Sequence, residues 1–144
     1  MTQPPGVLVV DDSDDHRFIA VTELQRLKLP KKLRIEEAAT GDDALQQVAK
    51  MLRDGLRVLV FSDYRMPKMG GIELLKAIRQ RWPKEPVRVV IYSSTDQGVG
   101  DESLSSGADE FMVKPMELFE FRRELRRAVD AFLGNDKAPA PNTR

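Results

Sequence analysis

The sequence predicts an α/β fold in which a parallel sheet is covered by helices on both faces. Two patterns carry that prediction. Short apolar runs rich in β-branched residues recur along the chain, and between them lie stretches whose apolar residues repeat at i, i+4, i+7. Alternation of this kind is satisfied by parallel strands joined through right-handed helical crossovers.

Four of the runs are Val7–Val10, Val58–Phe61, Val87–Ile91 and Phe111–Val113. They are too short for helices and read as strands. The first three are almost continuously apolar, as suits central strands buried on both faces. Residues 33–37 (LRIEE) begin by alternating apolar with polar, which suits a half-covered edge strand. Between the strands, Ala20, Leu24 and Leu27 mark a helix within 14–28. Ala44, Val48 and Met51 mark one within 41–53, and Leu75, Ile78 and Trp82 a third. The clearest stripe is Leu118, Phe121, Leu125, Ala128 and Phe132, on a helix rich in Arg and Glu. Ser13 and Thr40 read as N-caps, and Asp14, Asp15, Asp42 and Asp43 suit the positive helix ends that follow. The stretch 96–107 (DQGVGDESLSSG) has to supply the remaining helix. Its three glycines and three serines predict a short or mobile one. The unit is expected to span residues 6–133, after a disordered N-terminus at 1–5 and before a flexible tail at 134–144.

The 144 residues suit one domain of ordinary size. With 41% hydrophobic and 32% charged residues, the chain is that of a globular protein with a core. Its 23 basic and 23 acidic side chains cancel, so no overall field favours nucleic acid or an anionic membrane. Cysteine is absent, which excludes disulfides, thiol catalysis and thiolate metal sites. The single histidine, His16, argues against imidazole clusters and is read as a solvated or pocket-rim residue. No apolar run approaches the ~20 residues of a membrane span, and a cytoplasmic location is expected.

In an open α/β sheet, ligands bind beyond the carboxyl ends of the strands. The residues that follow the apolar runs are therefore the candidates. The first run leads into Asp11 and Asp12, and the third strand ends in Ser62 and Asp63. The fourth passes through Tyr92 to Ser93, Ser94 and Thr95, and the fifth leads to Lys114 and Pro115. Three carboxylates, a hydroxyl and an ammonium thus converge on one edge. Two carboxylates ~5 Å apart at an effective dielectric of ~20 repel by roughly 3 kcal/mol. A cluster of them calls for a cation, and oxygen donors without imidazole or thiolate select Mg²⁺, Mn²⁺ or Ca²⁺. A metal ion, a lysine and a hydroxyl around one aspartate would stabilise a PO₃ group in transfer. Asp63 is then a candidate nucleophile that forms an acyl phosphate.

The stretches VLVVDDS (7–13), VFSDYRMPKMGG (60–71), VVIYSS (89–94) and GADEFMVKP (107–115) resemble the receiver domain of two-component response regulators. They occur in that family's order, and the likeness covers about residues 6–133. It implies a flavodoxin-like (βα)5 sheet with strand order 2-1-3-4-5. It also implies a stand-alone, chemotaxis-regulator-like protein rather than an enzyme. Asp63 would accept the phosphoryl group from a sensor histidine kinase or phosphotransfer protein. Asp11, Asp12, Asp63 and the backbone carbonyl of Arg65 would hold Mg²⁺. Ser93 and Lys114 would bond the phosphoryl group, Phe111 would be the aromatic switch, and the Lys114–Pro115 peptide would be cis. The output would be an unknown downstream protein, with no direct nucleic-acid or membrane contact, and a homodimer is left open. Arg65, two residues after the acceptor, is long and cationic where many relatives are small or neutral.

Two other readings compete. One is an aspartate-nucleophile phosphatase or phosphotransferase of similar fold. Such enzymes usually carry a second Asp two residues after the nucleophile, and Arg65 stands there. The other is a degenerate receiver used only as an interaction module. That reading is opposed by the presence of the acid pair, the acceptor and the lysine together.

Overall fold

Residues 3–29 and 32–134 are described by the computed structural model of the chain. The expected tail at 134–144 lies outside them apart from Gly134. Among the described residues, ten elements alternate strictly. They are β1 (Pro5–Val10), α1 (Asp14–Arg26), β2 (Arg34–Ala38), α2 (Gly41–Arg53), β3 (Arg57–Asp63), α3 (Gly71–Arg81), β4 (Val87–Ser93), α4 (Val99–Ser105), β5 (Glu110–Val113) and α5 (Leu118–Leu133). All five strands are parallel, in the order β2-β1-β3-β4-β5. Chain order reverses between β1 and β3, which makes their carboxyl ends the switch point of the sheet.

The two-residue period of the strands divides the core. Leu8, Val10, Val58, Val60, Val89 and Ile91 pack against α2 and α3 through Ala44, Val48, Leu75 and Ile78. Their neighbours Val7, Val9, Leu59, Phe61, Val90 and Tyr92 pack against α1 and α5 through Leu24, Leu125, Ala128 and Phe132. This explains the unbroken apolarity of β1, β3 and β4: every position faces a covered side. β2, at the edge, is only partly buried.

Local chemistry sets the helix starts. The Ser13 hydroxyl accepts from the His16 amide at 3.2 Å, and the Thr40 hydroxyl from the Asp43 amide at 3.0 Å. α4 is short, as its composition predicts. Its first amides are supported by Asp96, whose carboxylate accepts from Gly100 N at 3.1 Å. Gly100 has a second role, because a Cβ there would lie 3.0 Å from the Phe111 ring. The glycine lets the helix seat on that aromatic.

Three expectations are corrected. β1 begins at Pro5, inside the segment expected to be disordered. The Arg57 amide donates to the Pro4 carbonyl at 3.0 Å and the Arg57 guanidinium to that of Gln3 at 3.3 Å, so the strand is held from its start. Leu118 is exposed rather than part of the α5 stripe, because it lies at the first turn, beyond the sheet edge; Val129 is buried in the stripe instead. The Lys114–Pro115 peptide is trans, the form favoured by about 0.5–1 kcal/mol for X–Pro bonds.

Two buried charges have no counterpart in the apolar pattern. Arg57 donates to the Phe132 carbonyl at 2.7 Å and stacks on the Phe132 ring at 4.5 Å, tying the base of the sheet to the end of α5. Glu23 of α1 is buried against Arg122 of α5, which joins those two helices.

Candidate functional site

The carboxyl ends of β1, β3, β4 and β5 bring Asp11, Asp12, Asp63, Ser93 and Lys114 to one edge of the sheet. Asp11, Asp12 and Asp63 each offer a carboxylate oxygen, and these oxygens lie within 4.8 Å of one another. Asp11 is fully buried, Asp63 is half-buried and Asp12 is exposed at the mouth.

Asp11 is the anchored member. Its Oδ1 accepts from the Ser13 amide at 2.9 Å and its Oδ2 from the Tyr92 hydroxyl at 3.0 Å. The Arg17 guanidinium donates to its backbone carbonyl at 2.7 Å. Lys114 Nζ lies 3.4 Å from Asp11 Oδ2 and 4.0 Å from Asp63 Oδ1. Asp63 is less well compensated. Burial, assisted by the neighbouring charges of Asp11 and Asp12, pushes its carboxyl up to about 6 against the opposing pull of Lys114. Burial together with the Asp11 carboxylate drives the Tyr92 phenol well above its ordinary value, so Tyr92 is a permanent donor.

The Ser93 hydroxyl is buried and accepts from the Thr95 amide at 3.3 Å. The Lys114 amide donates to the Ser93 carbonyl at 2.7 Å, which registers the ends of β4 and β5. Arg65 is exposed on the β3–α3 loop, lining a groove with Tyr64, Glu73 and Glu102 rather than entering the acid cluster. Phe111 is half-buried against the α2–α3 side of the core. Among the methionines near this edge, Met66 is buried in the core, Met69 packs beneath Gly41 and Met116 is wholly exposed.

Three features of the site were not singled out by sequence reasoning. Tyr92 had a visible signal, a lone tyrosine in an aliphatic strand one residue before the strand-end serine. The approach of His16 Nδ1 to Lys114 Nζ, at 3.1 Å, had only the pocket-rim placement of that histidine. The hydrogen bond from Tyr64 to Glu102 of α4 had no signal, because the partners lie 38 residues apart.

The donor set fits a hard divalent cation: three clustered carboxylates, one of them undercompensated, with no imidazole or thiolate among them. Receiver domains bind Mg²⁺ at an acidic cluster of this kind.

Comparison with known proteins agrees with this geometry. The family model described as the response regulator receiver domain matches residues 7–126. The transcriptional regulatory protein ZraR of Klebsiella oxytoca is 37% identical over 124 residues, which cover 85% of this chain and 26% of that protein. The chain therefore spans about a quarter of the length of such relatives. The two-component response regulator ORR3 of Oryza sativa subsp. indica is 30% identical, with 87% of this chain and 91% of that protein covered. Among solved structures, the signal receiver domain of the putative response regulator NarL from Mycobacterium tuberculosis superposes with a TM-score of 0.71 at 28% identity. That match covers 92% of this chain and 98% of the other. Residues, fold and relatives converge: the chain belongs to the response regulator receiver domain family of two-component systems.

Proposed function

We propose that this chain is a phosphorylation switch in which Asp63 accepts a phosphoryl group from a phosphohistidine on a sensor histidine kinase or phosphotransfer protein. The observation that carries the proposal is the joint placement of Asp63, its acid neighbours and Lys114, with Nζ 4.0 Å from Asp63 Oδ1. Receiver domains in general work with histidine kinases and downstream targets as signalling modules. The match to ORR3 over 91% of that protein supports a receiver acting as a unit. A cytoplasmic setting and another protein as target are part of the same proposal.

A carboxylate oxygen of Asp63 attacks phosphorus, the N–P bond of the phosphohistidine breaks, and its electron pair returns to the imidazole. Mg²⁺, when bound, neutralises charge on the phosphoryl oxygens. Asp12, Asp63 and the Arg65 carbonyl would hold it directly. Asp11, whose oxygens already accept from Ser13 and Tyr92, would act mainly through water. Lys114 supplies a second positive charge, and the Ser93 hydroxyl leaves the Thr95 amide to donate to a phosphoryl oxygen. The added charge, close to two units, biases a rearrangement of α4, β5 and α5 around Phe111, and that surface meets the output protein.

The test is labelling with acetyl phosphate. Wild type should acquire acid-labile phosphate in a Mg²⁺-dependent way, and Asp63→Asn should acquire none. Equal labelling of the variant would remove Asp63 from the acceptor role.

A further inference from the structure

The ammonium of Lys114 does not rest against the acceptor. Its Nζ lies 3.1 Å from His16 Nδ1, 3.4 Å from Asp11 Oδ2 and 4.6 Å from the centroid of the Tyr92 ring, against 4.0 Å from the nearest Asp63 oxygen. An ammonium has only donors, so a hydrogen bond between the two takes His16 Nδ1 as its acceptor. Three groups of different chemistry thus form a berth: an imidazole lone pair, a carboxylate and an aromatic face.

Each wall of the berth is itself held. Ser13 caps α1 through the His16 amide and also donates its own amide to Asp11, so one residue places both His16 and Asp11. The Tyr92 hydroxyl donates to the same Asp11 oxygen that Lys114 approaches. His16 is the removable wall. Its side chain is 53% exposed and lies outside both hydrophobic clusters, so the fold does not depend on it for packing. The His16–Lys114 contact also lines an apolar cavity of about 420 Å³ shared with Ile19, Met116 and Leu118.

We propose that His16 is a positioning residue: it holds Lys114 in a resting berth against Asp11, off the acceptor, and so sets how readily Lys114 meets a phosphoryl group on Asp63. This rests on the reading of Asp63 as the acceptor. The role requires a neutral hydrogen-bond acceptor at residue 16 and no change in its charge.

The test uses the full chain with His16→Leu, which removes the acceptor, and His16→Asn, which keeps one. Two readouts are needed: the side-chain ammonium resonance of Lys114 by nitrogen-15 NMR in the unphosphorylated protein, and the rate of labelling by acetyl phosphate with Mg²⁺. The Lys114 resonance should be distinct in wild type and His16→Asn and merge with the solvated lysines in His16→Leu. Labelling should be faster in His16→Leu by about tenfold or more, the scale of one hydrogen bond to a charged group, and unchanged in His16→Asn. An unmoved Lys114 resonance in His16→Leu, an unchanged or slower rate there, or an asparagine variant that behaves like leucine would each overturn the proposal. Failure of every form to label, wild type included, would count against the acceptor reading; the resonance would still decide whether the berth exists.

Discussion

The Tyr64 hydroxyl donates a 2.6 Å hydrogen bond to the Glu102 carboxylate and thereby ties the loop after Asp63 to α4. Tyr64 is adjacent to the candidate acceptor, and its amide donates to the Tyr92 carbonyl at 2.8 Å. A displacement of Asp63 therefore reaches α4 through one side chain. The Glu102 carboxylate also holds the Tyr64 phenol above its ordinary value, which keeps the donor protonated.

Removing that tie should loosen α4 before anything else. Tyr64→Phe is expected to cost about 1 kcal/mol, confined to local opening. Hydrogen exchange of the amides of residues 99–105 should quicken while those of β1 and β3 keep their protection. Unaltered exchange in α4 would show that the bond does not support the helix.

The raised Asp63 carboxyl makes a statement about pH. Its folded value of about 6 lies above the ordinary carboxylate range near 3.8, chiefly through burial. Between those limits the folded chain binds a proton that the unfolded chain releases. Metal-free protein is therefore most favoured below about pH 4 with respect to this group, and it loses up to ~3 kcal/mol as pH rises through 6. Asp63→Asn should abolish that loss, and Mg²⁺ should offset it in wild type. Urea unfolding in chelator at about pH 4.5 and about pH 7.5 would measure it. The idea fails if the curves of wild type and of the Asp63→Asn variant shift in parallel.

Gly71 opens α3 directly beneath the acceptor. A Cβ there would stand 2.5 Å from the Asp63 carbonyl oxygen and 3.1 Å from Tyr64 Cα, both backbone atoms that have no rotamer to escape into. Gly71→Ala should destabilise by about 1–3 kcal/mol through overpacking. It should also slow acetyl phosphate labelling, because the carboxylate itself is displaced. Wild-type stability and labelling in the alanine variant would mean that α3 moves aside freely.

Much of the architecture was legible because it rests on short-range chemistry. Apolar runs announced β1, β3 and β4, the caps Ser13 and Thr40 announced α1 and α2, and the strand-end rule placed Asp11, Asp12, Asp63, Ser93 and Lys114 together. What escaped depends on partners far apart in the chain. Tyr92 meets Asp11 across 81 residues, and Arg57 meets Phe132 across 75. A buried arginine at the start of a strand is indistinguishable, as a letter, from a solvated one. The misplacement of Leu118 has the same origin: a helical stripe gives the phase of a helix but not where the sheet beneath it stops.

Arg57 also governs what can be attached to this domain. Its guanidinium bonds the carbonyls of Gln3 and Phe132, so the two extremities of the folded unit emerge side by side at the amino pole of the sheet. Lys114 and the acids occupy the other pole. Whatever precedes Gln3 or follows Gly134 therefore joins the folded unit at the pole opposite the acid pocket.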